Sequence, residues 1–305
     1  MSLLDQEQVL FDLLFDQNLR DNFVKDGVIA LSGYNLNEAE RQDFPTIRPE
    51  ALVLDASMRA GFILSQFCRS YPLSFSLVSS LSQGVEPLRA LIDVKTMRTS
   101  PLERLKVFGV RLKEWLQQQS FASLQEQALI LSIIDAEIGM VWTSAELKKT
   151  ALQGDLPECA EAPEDWLQRR VVFAPFVSAA VIPFSYGQLK TGLCAETGAG
   201  LWRTLTRQPL PADERQRILR KRDPRILVAR AIVAQKSPCE HVTEHYTVEL
   251  SEGFAALLEH VNGTVSVADI LAQFRQVGAD EPLLNSVQEG FRQLMQQGML
   301  AFSPD

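Results

Sequence analysis

The stretch "SPCEHVTEHYTVELSEGF", Ser237–Phe254, holds three residues of metal-ligand type, Cys239, His241 and His245, and then alternates like a strand. Within "HYTVEL", Tyr246, Val248 and Leu250 fall on one face of an extended chain, and His245, Thr247 and Glu249 on the other. On a strand, positions 239, 241 and 245 would point one way and span roughly 20 Å, so they meet at a metal only if a turn intervenes. Structural zinc also favours four ligands, and only Glu240 and Glu244 lie near enough to complete a set. The stretch therefore reads as a polar turn leading into an edge strand, with no metal of its own.

The sequence on either side supports that reading. Upstream, "RILVARAIVAQ" is strand-like. Downstream, Ser251 precedes "EGFAALLEHV", a predicted helix ended by Asn262-Gly263. Ser266 and Asp269 have capping-box spacing and open "VADILAQFRQ", which ends near Gly278. Pro282 opens "LLNSVQEGFRQLMQQ", stopped by Gly298, and "MLAF" follows as a short strand. This grammar predicts a winged-helix-like domain over 223–305, with Val287, Phe291, Leu294 and Met295 on one stripe of its last helix.

Winged helices often read DNA, but the charge argues against it here. From Asp223 to Asp305 five Lys/Arg stand against eleven Asp/Glu, a net of −6, and the last helix offers only Arg292. DNA affinity comes mainly from several cations facing the phosphates. A transcriptional regulator is the alternative reading, and salt-dependent DNA retention would be its sign. The other use of such a fold is peptide capture, in which a chain adds as an extra strand along an open edge and its side chains drop into the adjoining groove. The candidate contacts are His245, Tyr246, Thr247, Val248, Glu249 and Leu250 on the edge, with Val287, Phe291, Leu294 and Met295 beside it. Val248 is expected to supply one of the free edge amides.

The rest of the chain is of another kind. Residues 1–152 read as a helical bundle. Apolar stripes run through Val9, Leu10, Leu13 and Leu14, through Leu52, Ala56, Ile63 and Phe67, and through Leu105, Phe108, Leu112, Trp115 and Leu116. Ser100-Pro101-Leu102-Glu103 reads as a capping box with proline at the first helical position. "LQEQALILSIIDAEIGMVW" is apolar almost all round and is expected to be the bundle's central helix. Asp135 and Glu137 on it are expected to be solvated or to meet a partner. Residues 153–222 form a connector containing one or two strands, in "RRVVFAPFVSAAVIPFSYG", and ending basic. The fold class is thus mainly α with a small α+β part.

The totals agree with an ordinary globular chain. Of the 305 residues 46% are hydrophobic, and the net charge of −8 disfavours nucleic acid or an anionic membrane as a partner of the whole protein. Four well-separated cysteines without a CxxC pair indicate reduced thiols, and the acidic, amphipathic start is unlike a signal peptide, so a cytoplasmic location is expected. No apolar run was expected to reach membrane-spanning length.

The segment "VELSEGFAALLEHVNGTVSVADILAQFRQ…VQEGFRQLMQQGML" resembles the PqqD-like RiPP recognition element, a domain that holds the leader of a ribosomally made precursor peptide. The opening "LDQEQVLFDLLFDQNLRDNFVKDGVIAL" resembles the first helices of partner proteins of multinuclear non-heme iron oxidative enzymes, the MbnC, HvfC and TglI type. Together they look most like the TglI-like branch, which serves a TglH-like enzyme acting on a peptide-terminal cysteine on the way to 3-thiaglutamate. The resemblance implies a non-catalytic subunit in a heterodimer, with the iron in the partner and none bound here.

Other chemistry finds little support. Three histidines cannot readily build a multinuclear iron site. "GLCAETGAGLW" matches neither phosphate-binding glycine pattern, and no histidine lies within 40 residues of Cys194. Nine Lys/Arg against three Asp/Glu between Arg203 and Arg230 read as a solvated helix or as a contact to an acidic leader or partner.

Overall fold

The computed structural model describes residues 3–154, 163–194, 196–220, 222–237 and 240–303. The chain is mainly helical with a small α+β part. It opens with α1 (Leu3–Phe15), α2 (Gln17–Asp26), α3 (Glu38–Asp43), α4 (Pro49–Phe67), α5 (Pro72–Leu81), α6 (Val94–Arg98) and α7 (Pro101–Gln117). The long α8 (Leu124–Gln153) is followed by β1 (Arg170–Phe173), β2 (Val177–Ile182), α9 (Tyr186–Leu193), α10 (Ala199–Arg207) and α11 (Ala212–Arg220). Then come β3 (Arg225–Ser237), β4 (Glu240–Ser251), α12 (Ala255–Leu258), β5 (Asn262–Ser266), α13 (Val267–Gln276), α14 (Glu281–Gln296) and β6 (Leu300–Phe302).

Local chemistry sets many boundaries. Asp16 accepts from the Leu19 amide at the start of α2, and Asn37 with Glu40 forms a full capping box on α3. Ser266 and Asp269 form another on α13, and Gly298, at φ 62°, ends the turn after α14. Ser100 departs from expectation. It sits at the N-cap of α7, but its side chain caps nothing, and Pro101 alone supplies the helix start.

One compact unit comprises Met1–Gln119 with Cys194–Arg215. Val9, Leu13, Phe23, Leu31, Leu36, Phe44 and Leu52 form one buried cluster in it. Phe67, Tyr71 and Phe75 surround Phe108 at ring-centroid distances of 4.9, 5.8 and 5.9 Å. Trp202 of α10 meets Phe75 edge-on at 6.1 Å. The buried carboxylate of Asp12 accepts from Arg98 at 2.8 and 3.0 Å and from the Tyr34 hydroxyl at 2.8 Å, so its charge is paired as burial requires.

The second unit, Ser120–Leu193 with Gln216–Asp305, holds two three-stranded antiparallel sheets, β2-β3-β4 and β5-β1-β6. The sheet β2-β3-β4 is covered on both faces. Against α8 lie Ala229, Ala231 and Ser178, whose Cβ would stand 3.2 Å from any Cβ placed at Gly139. On the other face Ile226, Val228 and Leu250 join Phe254, Leu257, Ile270, Val287, Phe291 and Leu294 in one core.

The two units divide the chain elsewhere than the boundaries at 152 and 222 expected from the sequence. α8 does not fill a helical bundle but covers the sheet, which explains an apolar surface wider than one stripe. By length and composition alone it would also serve as a membrane span, contrary to expectation, but here its buried side faces β2 and β3. Glu137, expected in water, is fully buried, with the Tyr186 hydroxyl donating to it at 3.3 Å. The expected connector supplies β1, the middle strand of one sheet, and β2, an outer strand of the other. The predicted helix over 252–261 shrinks to a 3-10 turn and α12, and Asn262–Ser266, expected only to stop it, pairs with β1 as a strand.

Gly290 packs α14 against the ring of buried Phe254, where a Cβ would overlap the ring edge. Gly290→Ala gains about 1 kcal/mol of helix propensity. It is expected to lose more than that, about 1–3 kcal/mol, to overpacking, and so to lower the melting temperature. A raised melting temperature would show that the ring moves aside at little cost.

Candidate functional site

The hairpin answers the question posed by Cys239, His241 and His245. β4 runs as continuous strand from Glu240, paired with β3 from Ser237↔Glu240 through Gln235↔His241 to Arg225↔Ser251. The turn-rich stretch expected before "HYTVEL" is therefore part of the strand. Positions 241 and 245 stand roughly 13 Å apart along it, too far to share one ion. Cys239 lies outside the described residues. Among the described residues no three His, Cys, Asp or Glu side chains gather closely enough to hold a metal.

The free side of β4 follows from a single hydrogen bond. The Ala231 amide donates to the Phe176 carbonyl at 2.9 Å, next to the pair Val177↔Arg230. Ala231, Ala229 and Leu227 thus turn their backbone groups toward β2, and Arg230, Val228 and Ile226 turn theirs toward β4. Their partners Tyr246, Val248 and Leu250 bond inward to β3. The amides and carbonyls that face away from the sheet belong to His245, Thr247 and Glu249. This corrects the expectation for Val248, whose amide is already used. Among the described residues no strand pairs with this outer side of β4.

The side chains sort by the same alternation. On the face toward α14, Tyr246 is 53% exposed, Val248 is half-buried and packs on the core, and Leu250 is buried in it. Met295 of α14 is half-buried against the same core. Val287, Phe291 and Leu294 are at most 1% exposed, so three of the proposed contacts, and Leu250 with them, form the floor and offer nothing to a ligand directly. Their apolar stripe is satisfied by the sheet.

On the opposite face His245 and Glu249 are committed within the protein, again a correction to their role as contacts. His245 Nε2 donates to the Met140 carbonyl at 2.9 Å and lies 3.0 Å from Ser144 Oγ, both on α8. Glu249 Oε1 accepts from the Gly187 amide at 2.7 Å. Thr247, between them, is exposed. The accessible surface of the site is thus the outer backbone of 245–249 with the side chains of Tyr246, Thr247, Val248 and Met295. The other outer strand, β2, is half as long, six residues against twelve, and ends before Pro183.

The cations between Arg203 and Arg230 do not make one stripe. Arg215 is buried and donates to Ser80 Oγ at 3.1 Å, Arg225 pairs with Asp223 at 2.8 Å, and Arg230 donates to the Gln297 carbonyl at 3.1 Å. Arg203 and Arg207 remain exposed on α10. Cys194 is buried 3.7 Å from Ser76 Oγ, and the three histidines of the chain all lie in the other unit, so no histidine of its own unit activates it.

Burial first, and then Lys190 and Lys148, hold the His245 pKa below its ordinary 6.5, against the Met140 hydrogen bond that raises it. The fold therefore favours the neutral ring. That stability is fully present above about pH 6.5 and is lost as pH falls from there toward the lower folded value. Thermal melts between about pH 8 and pH 5 should fall more steeply for the native protein than for His245→Gln. Parallel curves would remove His245 from the account.

A scan against protein-family models, a search of curated proteins and a search of solved structures each found no match to this chain.

Proposed function

We propose that the C-terminal part of this protein is a winged-helix-like recognition element that captures an extended peptide on the outer side of β4. The carrying observation is the free backbone of His245, Thr247 and Glu249, at the rim of a surface offering Tyr246 and Met295. A peptide pairing there would gain main-chain hydrogen bonds for register, and alternate side chains would rest against Tyr246, Val248 and Met295. The acidic balance of this region favours a peptide over a nucleic acid.

With the resemblance in its sequence, the reading extends to a non-catalytic partner subunit. It would hold the leader of a ribosomally made precursor and present the peptide's far end to a TglH-like iron enzyme in a heterodimer. The contribution is effective concentration, of order mM for a short flexible tether. The metal belongs to the partner in this reading, so the chain purified alone should carry no stoichiometric iron by elemental analysis.

Thr247→Pro tests the edge directly, because it deletes one outward amide while the inward ladder of Tyr246, Val248 and Leu250 is kept. Calorimetry would use a synthetic leader peptide of a candidate precursor. Affinity should fall about tenfold or more with the melting temperature retained. Val248→Pro should instead unfold the hairpin. Unchanged leader affinity in a folded Thr247→Pro variant would end the proposal.

A further inference from the structure

α4 is apolar on two sides. Leu52, Ala56, Ala60 and Leu64 are buried, while Leu54, Met58 and Phe62 stand one turn apart on another side, 61%, 65% and 68% exposed. Three large apolar side chains in line on one helix form a contiguous patch of the kind that marks an interaction surface. The stripe ends in a groove of about 320 Å³ between α4 and α10, lined by Gly61, Phe62, Trp202, Arg203, Thr206 and Arg207. No acid lines it, although the whole chain carries −8. Of the nearby acids, Asp55 pairs with Arg59 and Glu86 with Arg89, while Glu196 lies against Gly200 at the start of α10, and the Arg89 guanidinium lies over Gly61.

We infer that this face docks an acidic amphipathic helix of a partner protein. Two helices with a groove between them accept the apolar side of a third, with Phe62 and Trp202 as anchors. Arg203 and Arg207 at the rim select carboxylates. A second copy of this chain fits poorly, since in a two-fold contact this face meets only itself and its groove lining offers no carboxylate to the arginines. So few cations beside an apolar stripe also fall short of a nucleic-acid site. The inference does not depend on the β4 reading, because the surface lies wholly in the other unit.

The probe is a fluorescein-labelled amphipathic peptide of roughly 18 residues, long enough for a helix, with Leu and Phe on one face and Glu on the other. A control peptide carries Lys in place of Glu. Fluorescence anisotropy with the full chain should show saturable binding of the Glu peptide only. Phe62→Ser, and Arg203→Glu with Arg207→Glu, should each weaken it about tenfold or more. Thr247→Pro should leave it intact. These substitutions are at exposed positions, and melting curves confirm folding. Absent binding, equal binding by the variants, or equal binding of the Lys peptide overturns the inference. So does a dimer in sedimentation that Phe62→Ser dissolves, which would assign the face to a second copy.

Discussion

Everything about the candidate site depends on which neighbour each amide of β3 serves. A central strand in an antiparallel sheet must alternate, one residue bonding left and the next right. The bond from Ala231 to Phe176 sets that alternation from Arg225 to Gln235, before the register shifts toward Ser237, and pairing carries it into β4 from His241 to Ser251. The amides left open on β4 are therefore not a matter of exposure or composition. A slip by one residue would turn the apolar set Ile226, Val228 and Leu250 onto the α8 face, so burial on both sides locks the register.

The same alternation separates two tasks on one strand. Even-numbered residues of 245–250 face the α14 side and grade from core at Leu250 to open surface at Tyr246. Odd-numbered residues face α8 and α9, where His245 and Glu249 anchor the strand through hydrogen bonds to Met140 and Gly187. A long unpaired edge is normally an aggregation hazard. Here its back is tied down at His245 and Glu249, and polar Glu244 and Thr247 stand exposed, one on each face.

Charge is also distributed by the fold rather than by the chain. The region after Asp223 is acidic. The cations between Arg203 and Arg230 are put to separate uses once folded: Arg215 is consumed in a buried hydrogen bond, Arg225 pairs with Asp223, Arg230 donates to the Gln297 carbonyl, and Arg203 and Arg207 are set beside an apolar groove. A helix may be amphipathic twice over, and α4 is: one apolar side closes the core, and the stripe through Leu54, Met58 and Phe62 is left in water.

Most capping residues, Ser100 excepted, and proline at first helical turns were legible because each acts within a turn of the chain. So were the alternation of "HYTVEL" and the mainly helical class. The second stripe of α4 was legible in principle, since positions 54, 58 and 62 recur at helical spacing, but nothing local tells a core face from an open one. Only the tertiary structure assigned α8 to the sheet, drew β1 and β2 out of an apparent connector, buried Glu137 and chose Thr247 over Val248 as the free amide. Each of those depends on a partner tens of residues away, and a periodic pattern states that a face must be covered without stating by what.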